Sequence, residues 1–203
     1  MKKGDKYKVA SGEEEKDVLD NLLGIADPIQ MNEAETEGIL NAHYRLSLNL
    51  TPNTNFDLNF IMEIHRLAFG EIYPFAGKLR EADMSKGGFA FPSAKFLPQS
   101  MNDFERDILS KLPHKYDNQK QLIEDIAKVH AELLFIHPFR EGNGRTARVL
   151  AYLMAEKAGF DELSFRKILT EDMKEKYIIA VQQAGMVNYE PMQKLIALLF
   201  QPD

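Results

Sequence analysis

Hydrophobic residues recur along this chain mostly at intervals of three and four, the spacing of amphipathic helices, and one stretch departs from that rhythm. From Asn32, a candidate cap, the residues Ile39, Leu40, Tyr44 and Leu46 fall roughly on one face of a helix over 32–47, which Thr51-Pro52-Asn53 closes. A second helix is predicted from about Asp57 to Phe69, with Phe60, Ile61, Ile64, Leu67 and Ala68 at helical spacing and Gly70 at its end. Pro98 suits the first turn of a third, whose apolar positions are Met101, Phe104, Ile108 and Leu112 before Pro113. A longer helix over 119–136 turns Leu122, Ile123, Ile126, Val129, Leu133 and Leu134 inward. Its last turn, Leu133-Leu134-Phe135-Ile136, is apolar nearly all round, as a deeply buried helix end is. Helices over 144–158, 171–184 and 191–200 complete the series. The exception is Leu79 to Phe91, where polar and apolar residues alternate about Ser85-Lys86-Gly87-Gly88, the pattern of a short hairpin turned by two glycines. About eight helices and one hairpin predict an all-α domain with a flap-like β insertion.

Composition narrows the class. At 203 residues, 44% hydrophobic and 28% charged, the chain has the make-up of one soluble globular domain. It contains no cysteine, which excludes disulfides, thiolate zinc sites and cysteine nucleophiles and suits a reducing, cytoplasmic setting. The net charge of −6 argues against binding along a nucleic-acid backbone. The longest apolar run falls far short of the roughly 20 residues of a membrane-spanning helix. Residues 1–20, rich in Lys and Glu with no apolar stretch, read as a polar arm able to move and not as a secretory signal. Residues 21–203 read as the domain.

The chemistry is concentrated between the two most apolar helices, in His137-Pro138-Phe139-Arg140-Glu141-Gly142-Asn143-Gly144-Arg145-Thr146-Ala147-Arg148. Pro138 disfavours helix at His137, so the preceding helix must end there. Gly142 and Gly144 permit positive φ and leave amide N–H groups uncovered where the next helix begins. Its own unpaired N–H groups and positive dipole end make that an anion cradle. Arg145 and Arg148, three apart, can reach the same side with geometry suited to phosphate oxygens. Glu141 would be repelled by such an anion unless Mg²⁺ bridged them. His137 offers an imidazole able to take a proton from an incoming hydroxyl. The combination describes nucleotide phosphate chemistry with a histidine base. By contrast His65 and Arg66 read as structural, tying the base of the flap to the core, and His130, seven residues before His137, lacks the spacing of a helical zinc site.

This run resembles the signature of the Fic (filamentation induced by cAMP) family, His-Pro-Phe-x-(Asp/Glu)-Gly-Asn-Gly-Arg-x-x-Arg, at every fixed position. Ile64-His65-Arg66-Leu67, Phe75-Ala76-Gly77-Lys78-Leu79-Arg80 and Ser85-Lys86-Gly87-Gly88 also look like family core segments, so the resemblance covers roughly residues 20–200. It implies a Fic-type helical bundle with the catalytic loop 137–148 between two central helices and the hairpin flap 79–92 beside it. It further implies a protein adenylyltransferase that moves AMP from ATP to a hydroxyl side chain of a target protein and releases pyrophosphate. By position, His137 would deprotonate the hydroxyl, Phe139 would anchor the loop, and Glu141 would hold Mg²⁺. Gly142, Asn143 and Gly144 would bind the α- and β-phosphates, Arg145 the β- or γ-phosphate, and Arg148 the γ-phosphate. The flap residues Ser85, Lys86, Gly87, Gly88 and Phe89 would align an extended target segment by strand pairing. Tyr177 and Gln183 are candidates for the base and ribose pocket.

The same motif leaves other transfers open, of UMP, phosphocholine or phosphate, as well as a silent nucleotide-binding module. Gly144 argues against the kinase-like Doc form. Many relatives are restrained by a helix carrying (Ser/Thr)-x-x-x-Glu-(Gly/Asn), whose glutamate pairs with the second motif arginine. No segment here matches fully. Glu33-Ala34-Glu35-Thr36-Glu37-Gly38 has the Glu-Gly end and makes Glu37 the candidate inhibitory carboxylate. The expectation is that restraint comes from a small separate antitoxin-like protein.

Overall fold

The computed structural model describes residues 17–86, 88–160 and 163–201 together with the backbone of 7–9. The first helix, α1 (Pro28–Ser47), starts four residues before the expected Asn32. Asp27 Oδ1 accepts from the N–H groups of Ile29 and Gln30 at 3.0 and 2.9 Å, and Pro28 takes the first turn, where a missing N–H is harmless. Its inner stripe is Met31, Glu35 and Ala42, with Ile39 and Leu46 half-buried. Leu40 and Tyr44, expected on that stripe, face solvent at 63% and 64% exposure. The inner stripe is small and polar where α1 meets its neighbours, so hydrophobicity alone misplaces the face.

Helix α2 (Leu58–Phe69), capped by Asp57 on Phe60 N–H at 2.8 Å, packs along α1. Phe69, Ile72 and Tyr73 join Met31 and Ala42 in a small core between them. The larger core is built around α4 (Gln119–Ile136), which packs on α5 (Asn143–Lys157), α6 (Glu171–Ala184) and α7 (Glu190–Leu199). Helix α3 (Leu97–Asp107) buries Leu97, Met101 and Phe104, then breaks at Ile108 into a 3₁₀ turn, Leu109–Lys111, instead of running on to Leu112. The described residues thus hold seven α-helices with short 3₁₀ turns. None of them is long and apolar enough to cross a membrane.

The single non-helical rhythm gives the flap. Strands β2 (Met84–Lys86) and β3 (Phe89–Ala90) pair antiparallel, Ser85 opposite Ala90 and Lys86 opposite Phe89, with Gly88 at φ 82° in the turn. Gly87 lies outside the described residues. One further strand joins the hairpin. Strand β1 (Tyr7–Val9), inside the supposed polar arm, pairs antiparallel with the other edge of β2, Tyr7 opposite Lys86, Lys8 opposite Ser85 and Val9 opposite Met84. An open strand edge presents unpaired N–H and C=O groups, and the backbone of 7–9 satisfies them along β2.

Candidate active site

Helix α4 ends where Pro138 requires it to, and His137 takes the left-handed conformation, φ 54° and ψ 58°, its N–H returning to Leu133 O at 3.0 Å. Such a backbone is strained for any residue with a side chain. It turns the imidazole into the site, where Nδ1 sits 3.1 Å from Leu134 O. A carbonyl only accepts, so Nδ1 carries the proton and Nε2 holds the lone pair that a general base needs. Burial pushes the pKa from 6.5 down to about 3, and the nearby charges of Arg80 and Lys86 push the same way, against the Leu134 bond. His137 is therefore neutral, with the Nε2 lone pair unprotonated. The Phe91 ring, just after β3, lies flat on it with centroids 3.9 Å apart and planes at 17°.

The loop beyond His137 is pinned from two sides. Phe139 is wholly buried, and Asn143 brackets its backbone, Oδ1 accepting from Phe139 N–H at 2.8 Å and Nδ2 donating to Phe139 O at 2.7 Å. Asn143's side chain is thus spent on the loop, and only its main-chain N–H is left for a phosphate. On the other side His65 stacks on Phe139 at 3.8 Å, receives Gly77 N–H on Nδ1 at 2.8 Å and donates from Nε2 to Glu141 O at 2.9 Å. That is the tie between flap base and core expected of it. Arg66 instead pairs with Glu63 at the surface.

Gly142 opens α5 at φ 78°, with Phe69 packed so closely beneath it that a Cβ would come within 2.4 Å of the ring. Only glycine fits there. Gly144 needs no positive φ, since it lies in the first turn of α5; a Cβ would instead crowd the Arg148 guanidinium at 3.3 Å. No side chain caps α5, which leaves its first N–H groups open to an anion.

The two arginines are held differently. Arg145 donates to Glu35 Oε2 at 2.8 Å and Glu141 Oε1 at 3.3 Å, and lies over the Phe69 ring. Burial disfavours its charge, but Glu35 and then Glu141 more than restore it. Arg148 has no carboxylate partner among the described residues, and burial followed by the proximity of Arg145 lowers its pKa from 12.5. Its charge is available for a ligand. Glu141 Oε1 also accepts Gly142 N–H at 2.7 Å, so this carboxylate sits at the mouth of the cradle. Among the described residues no three His, Cys, Asp or Glu gather for a metal. A single carboxylate, Glu141, beside an anion cradle is a donor set that suits Mg²⁺ when substrate phosphates and waters supply the remaining oxygens.

Other candidates are placed as follows. Tyr177 donates its hydroxyl to His130 Nε2 at 2.7 Å, while His130 Nδ1 faces Ala147 O at 3.3 Å; the pair lies beside Arg148. Gln183 accepts from Asn188 Nδ2 at 3.0 Å in the turn after α6. Glu37 is exposed and makes no bond to either arginine. The carboxylate of α1 that reaches the motif is Glu35, about 200° around the helix from Glu37, and it meets the first arginine, not the second. Sequence reasoning missed Glu35, Tyr73 beside it, Arg80 and Phe91. Arg80 stood in a noticed segment, but nothing marked its role.

Residues 55–155 match the Fic/DOC family model. The chain belongs to the Fic/DOC family. It is 28% identical to the protein adenylyltransferase VbhT of Bartonella schoenbuchensis over 70% of the chain and 30% of that protein. Against the protein adenylyltransferase Fic of Nematostella vectensis it is 30% identical over 76% of the chain and 34% of that protein. It therefore spans about a third of the length of either relative. The BepC effector of Bartonella tribocorum, solved with bound AMPPNP, shares the fold at a TM-score of 0.73 and 24% identity, covering 92% of this chain and 93% of that one.

Proposed function

We propose that this Fic domain is a protein adenylyltransferase. The observation that carries the reading is a neutral His137, its lone pair on Nε2, set at the mouth of an uncapped helix N-terminus that Arg145 and Arg148 flank. Nε2 takes the proton of a hydroxyl on a target protein. The oxygen forms a bond to the α-phosphorus of ATP as the bond to the bridging oxygen breaks, and pyrophosphate leaves. The main-chain N–H groups at the start of α5 and the two guanidinium groups stabilise charge on the phosphates without reorganising. Glu141 is the residue to hold Mg²⁺, which neutralises phosphate charge when bound. The adenylyltransferase names of the relatives and the AMPPNP in the BepC neighbour support the same donor.

That Arg148 has no carboxylate partner among the described residues supports a further reading, that restraint comes from a separate small protein supplying one. The target docks on the flap by strand pairing. The direct test is the intact mass of wild type and His137→Ala after incubation with Mg²⁺ and ATP labelled at the α- or the γ-phosphate. A gain of one AMP with α-label, absent from His137→Ala, is expected. Retained γ-label would make the protein a phosphotransferase. Label from UTP or CDP-choline alone would reassign the donor.

A further inference from the structure

Arg80 lies outside the motif, yet its guanidinium is bonded to the catalytic loop and to both ends of the flap at once. Its side chain is buried, and three main-chain carbonyls take its protons: His137 O from Nε at 2.8 Å, Ala82 O from Nη1 at 2.7 Å and Pro92 O from Nη2 at 2.5 Å. Arg80 N–H adds a fourth bond, to Pro138 O at 2.8 Å. Ala82 precedes β2 and Pro92 follows β3, so one planar fork closes the hairpin at its base and fastens it to the carbonyl of His137. Among the described residues no carboxylate pairs with it. Asp83, three residues on, is bonded to Ser93 Oγ and Ala94 N–H instead. A buried cation held by carbonyls alone is an expensive way to close a loop.

What the arrangement supplies is alignment. The flap touches α4 through Phe89 on Phe135 and touches His137 through Phe91, whose main-chain N–H bonds Met84 O across the hairpin at 3.0 Å. Shifting the flap therefore slides the Phe91 ring over the imidazole, and the Arg80 fork fixes how far it can shift. We propose that Arg80 is a positioning residue that registers the flap, and whatever extended segment pairs with it, against the imidazole of His137. The proposal rests on the AMP-transfer reading for its kinetic arm alone.

The experiment uses Arg80→Lys, which keeps the charge and reaches fewer carbonyls, with Phe91→Leu, which keeps an apolar cover without flat stacking. In wild type the stacked Phe91 ring should shift the His137 ring protons upfield in the NMR spectrum. Arg80→Lys should lose much of that shift. The maximal rate of α-phosphate transfer should fall 10-fold or more while AMPPNP affinity stays within about twofold, and Phe91→Leu should fall in the same way. An unchanged ring-current shift in Arg80→Lys, or a loss of AMPPNP affinity as large as the loss of rate, would overturn the proposal. If wild type transfers no label at all, the AMP-transfer reading fails, and the ring-current comparison still decides whether Arg80 sets the flap on His137.

Discussion

Glu35 Oε2 lies 2.8 Å from Arg145 Nη1, joining the middle of α1 to the first turn of α5 across 110 residues of chain. The other carboxylate oxygen accepts the Tyr73 hydroxyl at 2.8 Å. Both partners are largely buried, Glu35 at 10% and Arg145 at 20% side-chain exposure. Removing one member of such a pair strands the other. Glu35→Ala should therefore destabilise the protein by about 3 kcal/mol in urea unfolding, and Glu35→Gln by less, because the amide oxygen can still accept from Tyr73. Glu37→Gln, at an exposed position, should stay within about 0.5 kcal/mol of wild type. It should also leave AMP transfer within twofold; a large rise would identify Glu37 as an internal brake after all.

That pair shows why the sequence was only partly legible. The helices of the main core announce themselves, because α4, α5 and α7 bury long aliphatic stripes. The loop over 137–148 announces itself by a density of glycine, arginine and histidine that packing does not need. Helix α1 is different. Its buried stripe contains Glu35, whose burial is made tolerable only by Arg145 and Tyr73, two residues distant in sequence. Helical spacing sees a polar position there and places the apolar face on Leu40 and Tyr44 instead. Strand β1 is hidden for another reason, since backbone pairing of three residues with β2 leaves no periodic mark in the sequence.

The left-handed backbone of His137 makes a prediction that separates chemistry from stability. Both His137→Ala and His137→Gly remove the base and should lower transfer by about 10²- to 10⁴-fold. Both also lose the Phe91 stack. Glycine, however, is at ease at φ 54°, whereas alanine keeps the Cβ strain. His137→Gly should be about 1 kcal/mol more stable than His137→Ala in urea unfolding. Equal stabilities would mean that the chain relaxes away from this backbone when the imidazole is gone.

Stability should also fall on mild acidification. His65, His130 and His137 are buried, and burial, the largest cause for each, brings their pKa values down from 6.5 to about 4, 3 and 3. In the unfolded chain all three bind protons near pH 6.5. Below that pH the unfolded state holds more protons than the fold, so stability drops with pH, and keeps dropping until the folded pKa values are reached. At pH 5 each histidine should cost up to about 2 kcal/mol. Asp125 and Glu132, whose carboxyls burial raises, offset part of the loss only as the pH nears the carboxylate range. The urea midpoint should be flat from pH 7 to 8 and decline below 6.5. His130→Gln, able to serve both Tyr177 and Ala147, should remove about one proton from the slope. An unchanged slope would show that His130 is already protonated in the fold.

The β1–β2 pairing bears on how a target reaches the site. With Tyr7–Val9 along one edge of β2 and β3 along the other, the centre strand of the flap has no edge left for a docking segment. A target that pairs with β2 must first displace β1. Three residues of antiparallel ladder hold on with a free energy on the order of 1 kcal/mol, which corresponds to about fivefold in apparent affinity. A chain beginning at Asp17 should accordingly transfer AMP to an added unfolded acceptor protein about fivefold more efficiently than the full chain, through a lower half-saturating acceptor concentration and an unchanged maximal rate. Amide exchange at Ser85 and Lys86 should accelerate in parallel. If exchange accelerates but transfer does not change, the target pairs along β3 and the β2 edge belongs to β1 alone. If transfer falls instead, β1 is a prop that holds the flap in shape and not a competitor for its edge.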